Sequence, residues 1–303
     1  MGRLELRMPG TRFSSLTVAL LVAMVPLQAI ATDGVIAINQ AVAVHGGATP
    51  GDTPGFPVTI SQPGSYRLVG NLVVGSDAHV IEITSDHVSL DLAGFSVVGF
   101  GSGSSSGIHI PDSHTDVEIR NGSVRDAGNS GIRSSDCSGC RIIDVRASGN
   151  GWAGVLLSGQ GGLIQGCTAI SNGNAGLYAT DGSTFIENVT YANTFIGIFH
   201  WAQGGTIVGN TSYSNSNKGI SARGGGNSII RANSSYGNSG VGIDAQLGSS
   251  VLDNAVAGNS GYGLDLGADG GYGRNVLENN TGGTADAGTQ MGTNVCNGSP
   301  ICP

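Results

Sequence analysis

Aromatic residues make up only 5% of this sequence and charged residues 11%. Both shortages count against a helical bundle or a doubly wound α/β domain, which need charged outer faces and bulky core residues. Lysine is scarce and the formal net charge is −8, a balance that argues against nucleic acid and anionic membrane surfaces as partners. Beyond the N-terminus no apolar run approaches the roughly 20 residues of a membrane-spanning helix. What is abundant is glycine, 53 of 303 residues, and so much glycine points to a repetitive, turn-rich chain.

The first segment reads as an address. Arg3, Arg7 and Arg12 precede the apolar run from Leu16 to Leu27, and Ala29, Ile30 and Ala31 supply small residues for signal peptidase. Residues 1–31 are therefore expected to be a signal peptide cleaved near Ala31. The product is expected to be secreted, periplasmic or attached to the cell surface. Removing the segment's net charge of about +2 takes the whole-chain −8 to about −10. Five cysteines in an exported chain allow two disulfides with one thiol left over. Cys296 and Cys302 bracket a short tail and are expected to close it. Cys137 and Cys140 pair with each other, or one of them pairs with Cys167; a lone CxxC without a second ligand pair is a weak metal signal.

Repetition dominates the rest. A glycine followed by an aliphatic residue recurs at Gly107, Gly131, Gly154, Gly176, Gly197, Gly219, Gly242 and Gly263, with spacings of 24, 23, 22, 21, 22, 23 and 21 residues. Four positions before the glycine stand Asn150, Asn172, Asn193, Asn215, Asn238 and Asn259. Nine before it stand Cys167, Asn188, Asn210, Asn233 and Asn254, a column that Asn279 is expected to continue. Twelve before it are Ile142, Ile164, Phe185, Ile207, Ile230 and Val251. Segments this short alternate with period two and cannot be helices. A unit of about 22 residues cannot bury its own apolar face, so each is one coil of a solenoid with three short strands. Stacking at about 4.8 Å turns the columns into ladders, and asparagine amides suit bonding from coil to coil. Asparagine and glycine also suit the sharp corners between strands.

These columns, in stretches such as GNTSYSNSNKGI (209–220) and DNAVAGNSGYGL (253–264), resemble the repeats of right-handed parallel β-helix proteins of the pectate-lyase-like superfamily, over roughly residues 60–280. The resemblance implies an all-β, single-domain fold and a polysaccharide class of substrate, without choosing a reaction. The expected organisation is an N-terminal cap over 32–60, with a short helix over 35–45, a parallel β-helix over 61–281, and a C-terminal cap over 282–303.

In the strand after each glycine, the first and third positions point inward and the second and fourth outward. His200, a third position, is then internal with a hydrogen-bond partner. The outward rows bring Tyr178, Phe199 and Trp201 together at the centre of one long face, with Arg223, Gln246, Asp244 and Asp265 further along it. Exposed rings on a flat sheet suit the CH faces of sugars, with Arg, Asp and Gln to bond hydroxyls. Tyr191, Tyr213 and Tyr236 form a second outward row. Asp244 and Asp265 occupy the same position on consecutive coils, with carboxylates about 5 Å apart. Such a pair shares a cation or a proton, or else turns into solvent. A Ca²⁺ held by both, with Arg223 orienting or abstracting a proton, is the arrangement that the resemblance to polysaccharide lyases implies, while one protonated and one ionised acid would suit a glycosidase.

The catalytic signatures of the superfamily are missing: there is no Asn-Thr-Asp, Gly-His-Gly or Arg-Ile-Lys, and no Asp-Pro-His-Asp. The nearest text, PDSHTD with Asp112, His114 and Asp116, reads as a polar turn. Two functions follow as expectations. The first is a non-catalytic solenoid that binds extracellular polysaccharide or cell-surface glycan through Tyr178, Phe199, Trp201 and Gln246. The alternative is a polysaccharide lyase, hydrolase or epimerase working through Asp244, Asp265 and Arg223, with Ca²⁺ as the possible cofactor. Ice binding would need regular threonine rows on the outward face, and these rows are too mixed.

Overall fold

The structure is a computed structural model that describes residues 34–299 together with Gly2 and Cys302. The expected signal peptide lies outside the described residues. The chain winds into a parallel β-helix with three strands per coil. The first stack is an 11-stranded parallel sheet that starts at Val58–Ile60 and ends at Gly283–Asp286. The second and third stacks merge into one 21-stranded sheet through the long strands Glu118–Arg125 and Arg141–Ser148, each of which spans both.

Inward positions fill the core. The first residue of each coil's leading strand, among them Ile108, Ile132, Val155, Leu177, Ile198, Ile220, Ile243 and Leu264, is fully buried, as is the column from Ile142 through Phe185 to Val251. The coils are held together by two asparagine ladders inside the corners. In the first, each Nδ2 donates to the Oδ1 of the next coil's asparagine at 2.9 or 3.0 Å, from Asn150 to Asn280. Asn193 shows the full set: its amide donates to Asn215 Oδ1 and to the Ala169 carbonyl, and its Oδ1 accepts from Asn172 Nδ2 and the Asn172 N–H. Every polar atom of the side chain is satisfied, which is what permits full burial. The second ladder runs from Asn188 to Asn254 and continues through Asn275 to Asn294. Asn275, not Asn279, continues that column; Asn279 instead takes a left-handed corner with φ 53°. Asn275 follows Asn254 by 21 residues, the same spacing as Asn233 to Asn254, whereas Asn279 would need a coil of 25.

The recurring glycines before the leading strands have a different reason from the one expected. Gly197 is absent from the left-handed residues, yet a Cβ there would lie 2.0 Å from Ser212 Oγ and 2.7 Å from Asn215 Nδ2. Glycine is required because the leading strand passes hard against the ladder, not because the chain turns there. The corners themselves use single left-handed residues such as Ser171, Ala192 and Ser214.

The ends extend the solenoid past the expected limits of 61 and 281. Val35–Ile38 is a strand paired in register with Ser65–Leu68, and only Gln40–His45 is helical, so the helix expected over 35–45 is half strand. Its four-residue aliphatic start can pair with a neighbouring strand, and Asn39 then caps the helix by accepting from the Val42 N–H at 3.0 Å. At the other end strands continue to Val295–Cys296, closed by a Cys296–Cys302 disulfide. Cys137 pairs with Cys140, which leaves Cys167 free and buried at the head of the second ladder. PDSHTD is largely not a turn: Pro111 to Thr115 belong to the strand Ile108–Thr115, which contains left-handed Asp112 and pairs with Ile132–Ser138, and only Asp116, also left-handed, lies past its end.

Candidate functional site

The outward face of the first stack brings rings and unlike charges together in register. Its second positions form a continuous row, in which Arg133 neighbours Leu156, Tyr178 neighbours Phe199, Asp244 neighbours Asp265 and Asp265 neighbours Asp286. Because strands stack without offset, each residue type in this row becomes a zone along the axis.

The central zone is aromatic. Tyr178 and Phe199 meet edge to face with centroids 5.1 Å apart, and Phe199 meets Trp201 in the same manner at 5.7 Å. Trp152, two residues before Gly154, extends the chain by packing on Tyr178 at 5.9 Å. Trp201 is 49% exposed and the other three rings are partly exposed. Beside Trp152 lies a shallow hollow of about 170 Å³ lined by Asn129, Arg133, Trp152 and Leu156. The rings are therefore displayed, and their tilted packing leaves faces turned to solvent.

His200 lies beneath this zone, fully buried against Phe185 and the backbone of Gly205. Its inward position is as expected, but neither ring nitrogen makes a well-formed hydrogen bond. Burial lowers its pKa, opposed by the Thr180 backbone and Asp181, so it is an uncharged core residue and not part of the displayed surface.

On the C-terminal side the paired aspartates behave differently from one another. The Asp244 side chain is 1% exposed, although its position on the strand is outward. Arg223 holds it through Nε at 2.5 Å and Nη2 at 2.7 Å, Ser221 donates at 2.7 Å, and Lys218 at 2.5 Å. Burial works to raise the Asp244 pKa, but the bonds from Arg223, Lys218 and Ser221 overcome it and hold the carboxyl below the usual range. The reading of two solvated aspartates is thus wrong for Asp244. Asp265, on the next coil, is a third exposed, with Arg223 Nη2 3.5 Å from its carboxylate. Its pKa is raised, first by burial and second by the charge of Asp244. One guanidinium between the two carboxylates offsets part of the repulsion that a shared cation was expected to relieve.

A divalent cation does not fit the Asp244 carboxylate, because two cationic side chains already occupy both oxygens. Among the described residues no group of three or more His, Cys, Asp or Glu side chains is arranged to hold a metal. Nor is Arg223 free to act as a base: its hydrogen bonds to Asp244 raise its pKa further. Gln246 sits at the following corner, where its Oε1 lies 3.5 Å from the Gly224 N–H.

The N-terminal zone is polar. His109 stacks on His79 at 4.3 Å, 3.7 Å from Glu82, and burial, with the charges of His79 and Arg133, pushes its pKa down to about 4.

The match to known proteins agrees with this architecture. The model of the right-handed β-helix region matches residues 81–184 and 153–297. The chain belongs to this right-handed β-helix family. No individual curated protein sequence matches it. Among solved structures, the A-module of mannuronan C-5 epimerase AlgE4 from Azotobacter vinelandii superposes with a TM-score of 0.65 at 12% identity, over 78% of this chain and 80% of that one. The Dettilon tailspike protein gp208 gives 0.54 at 14% identity, over 77% and 59%. Pectate lyase Pel9A gives 0.50 at 12% identity, over 80% and 74%. At such identities the likeness is one of fold.

Three members of the right-handed β-helix face were missed in the sequence. Trp152 precedes its glycine and so falls outside the rows used to find outward residues. Lys218 lies against Asp244 only because one coil is stacked on the next, whereas Ser221 stands in the outward row one coil before Asp244 and only its bond went unforeseen. Lys218 had a signal nonetheless: it is the single lysine in the whole chain.

Proposed function

We propose that this protein is an exported, glycan-binding β-helix that holds a polysaccharide along the outward face of its first stack. The observation that carries the reading is the run of four displayed rings, Trp152, Tyr178, Phe199 and Trp201, aligned over consecutive coils. A chain lying parallel to the axis would pack successive sugar CH faces on these rings, while Arg133 at one end and Arg223 at the other offer donors to hydroxyl or carboxylate groups. Two of the structural neighbours, a mannuronan epimerase and a pectate lyase, are named for polysaccharide substrates, which supports the class of ligand. Calorimetric titration with uronate and neutral oligosaccharides is the test. Saturable binding is expected, weakened about tenfold by Trp201→Ala or Tyr178→Ala, the equivalent of about 1.4 kcal/mol. Absence of binding to every glycan class would refute the reading.

Asp265 favours a second reading, that of a polysaccharide-active enzyme. It is a partly exposed carboxyl whose pKa is raised, set beside a fixed guanidinium at the edge of the ring platform. A group in that state can deliver a proton to a leaving oxygen. Reducing-end and unsaturated-uronate assays on uronate polymers check this, and Asp265→Asn must abolish any turnover found.

A further inference from the structure

A second face of the solenoid has the properties of a ligand surface and plays no part in the reading above. On the third stack, Tyr191, Tyr213 and Tyr236 are register partners on three consecutive coils. Their rings are nearly parallel, at 11° and 4°, with centroids 4.9 and 5.0 Å apart. That separation is wider than van der Waals ring contact at about 3.5–4.0 Å, so the rings are slipped and each leaves part of a face and its hydroxyl edge toward solvent. Tyr236 is 43% exposed.

The surroundings extend the pattern. A parallel row of small hydroxyl residues includes Thr211, next to Ser234. Among the described residues none of these tyrosine, threonine or serine hydroxyls has a hydrogen-bond partner. The outward positions of this stack carry no charge from Thr168 to Ala257; charge returns only at Arg146 on one side and Glu278 on the other. Each strand is followed at once by a left-handed residue, Ser171, Ala192, Ser214, Gly237 and Gly258 in turn, which takes the chain sharply away from the sheet.

We infer that the tyrosine face of the third stack is a contact surface for an uncharged, extended polysaccharide lying along the solenoid axis. A row of hydroxyls at one coil spacing meets a polymer whose own hydroxyls recur at nearly the same interval, as they do in an extended β-linked hexose chain. The missing charge selects against polyanions and makes the contact indifferent to salt. The slipped rings supply apolar area at little entropic cost, and the unpaired hydroxyls supply the bonds that fix the polymer in place. The inference stands without the first-stack reading, because the two faces share no residue.

The test is co-sedimentation of the purified protein with microcrystalline cellulose and with chitin particles, at low and high salt. Retention that is unchanged by salt, reduced about tenfold in the Tyr191→Ser/Tyr213→Ser/Tyr236→Ser variant and unaffected by Trp201→Ala, is the expected result. A melting temperature of the triple variant close to that of the parent shows that folding is not the cause. Equal retention of the triple variant, or no retention of the parent on either particle, overturns the inference. So does concentration-dependent self-association in sedimentation velocity that the triple variant abolishes, since the face would then be an interface between copies of this chain.

Discussion

Replacing Asp244 with asparagine keeps the shape of the side chain and removes its charge. The parent carboxylate is 1% exposed and receives four hydrogen bonds, two from Arg223 and one each from Lys218 and Ser221. The amide of Asp244→Asn must turn an N–H toward at least one donor, and both cations lose their counterion. Removing one partner of a buried ion pair destabilises by about 3–5 kcal/mol. Lys218 and Arg223 remain 20% and 35% exposed and keep part of their hydration, so about 2–3 kcal/mol is expected here. For a chain of this size that corresponds to a fall in Tm of about 4–5 °C. Lys218→Met removes one bond of four and leaves Arg223 in place, so its effect is about 1 kcal/mol. The pH dependence separates this account from a general packing defect. The folded pKa of Asp244 lies below its ordinary value of 3.8; the stabilisation is therefore complete well above 3.8 and is lost as the pH falls through the folded value. Thermal unfolding followed by circular dichroism should show a large gap between parent and Asp244→Asn at neutral pH that narrows in acid. A gap under about 0.5 kcal/mol at neutral pH, or one that persists unchanged in acid, would refute the buried-clamp reasoning.

Asn215→Ala breaks the first ladder at its middle: the Asn193 N–H loses its acceptor, Asn193 Nδ2 keeps only the Ala169 carbonyl, and Asn238 Oδ1 keeps only the backbone N–H of residue 215. The buried orphan costs about 1–3 kcal/mol, and with the ladder bonds lost beside it the total, read by denaturant titration, should exceed that of an exposed corner substitution such as Ser214→Ala. Cys167 is buried and its thiol pushed up to about 12, so thiol reagents at mildly alkaline pH should label nothing in the native protein and one cysteine after unfolding without reductant. Asp265→Asn should raise Tm by about 1 °C at neutral pH: the folded pKa is raised, so ionisation opposes folding once the pH passes the unfolded value, and the gain should vanish in acid. A fall in Tm at neutral pH would show that the contact with Arg223 outweighs burial.

Much of the fold was written in the chain because a solenoid converts sequence period directly into space. The columns of asparagine, glycine and aliphatic residues named the ladders, the leading strands and the core, since every coil repeats the same environment and therefore the same demand on each position. The outward placement of Tyr178, Phe199 and Trp201 and the tyrosine row followed from strand alternation alone. What the period does not encode is the meeting of residues from different columns. Lys218 and Arg223 stand in columns other than that of Asp244 and reach it because side-chain length and coil stacking bring them there, joining Ser221 of its own column. The same holds for Trp152 against Tyr178, and for the glycines, whose necessity comes from a ladder atom one coil away. At the N-terminal end the repeat falls silent, and only pairing with a neighbouring strand decides that Val35–Ile38 is extended. The sequence by itself determined the solenoid, its core and which faces are displayed, because these depend on periodicity. Tertiary structure alone decided the charge state and company of Asp244 and Asp265, because electrostatics depends on distances between coils that no single repeat contains.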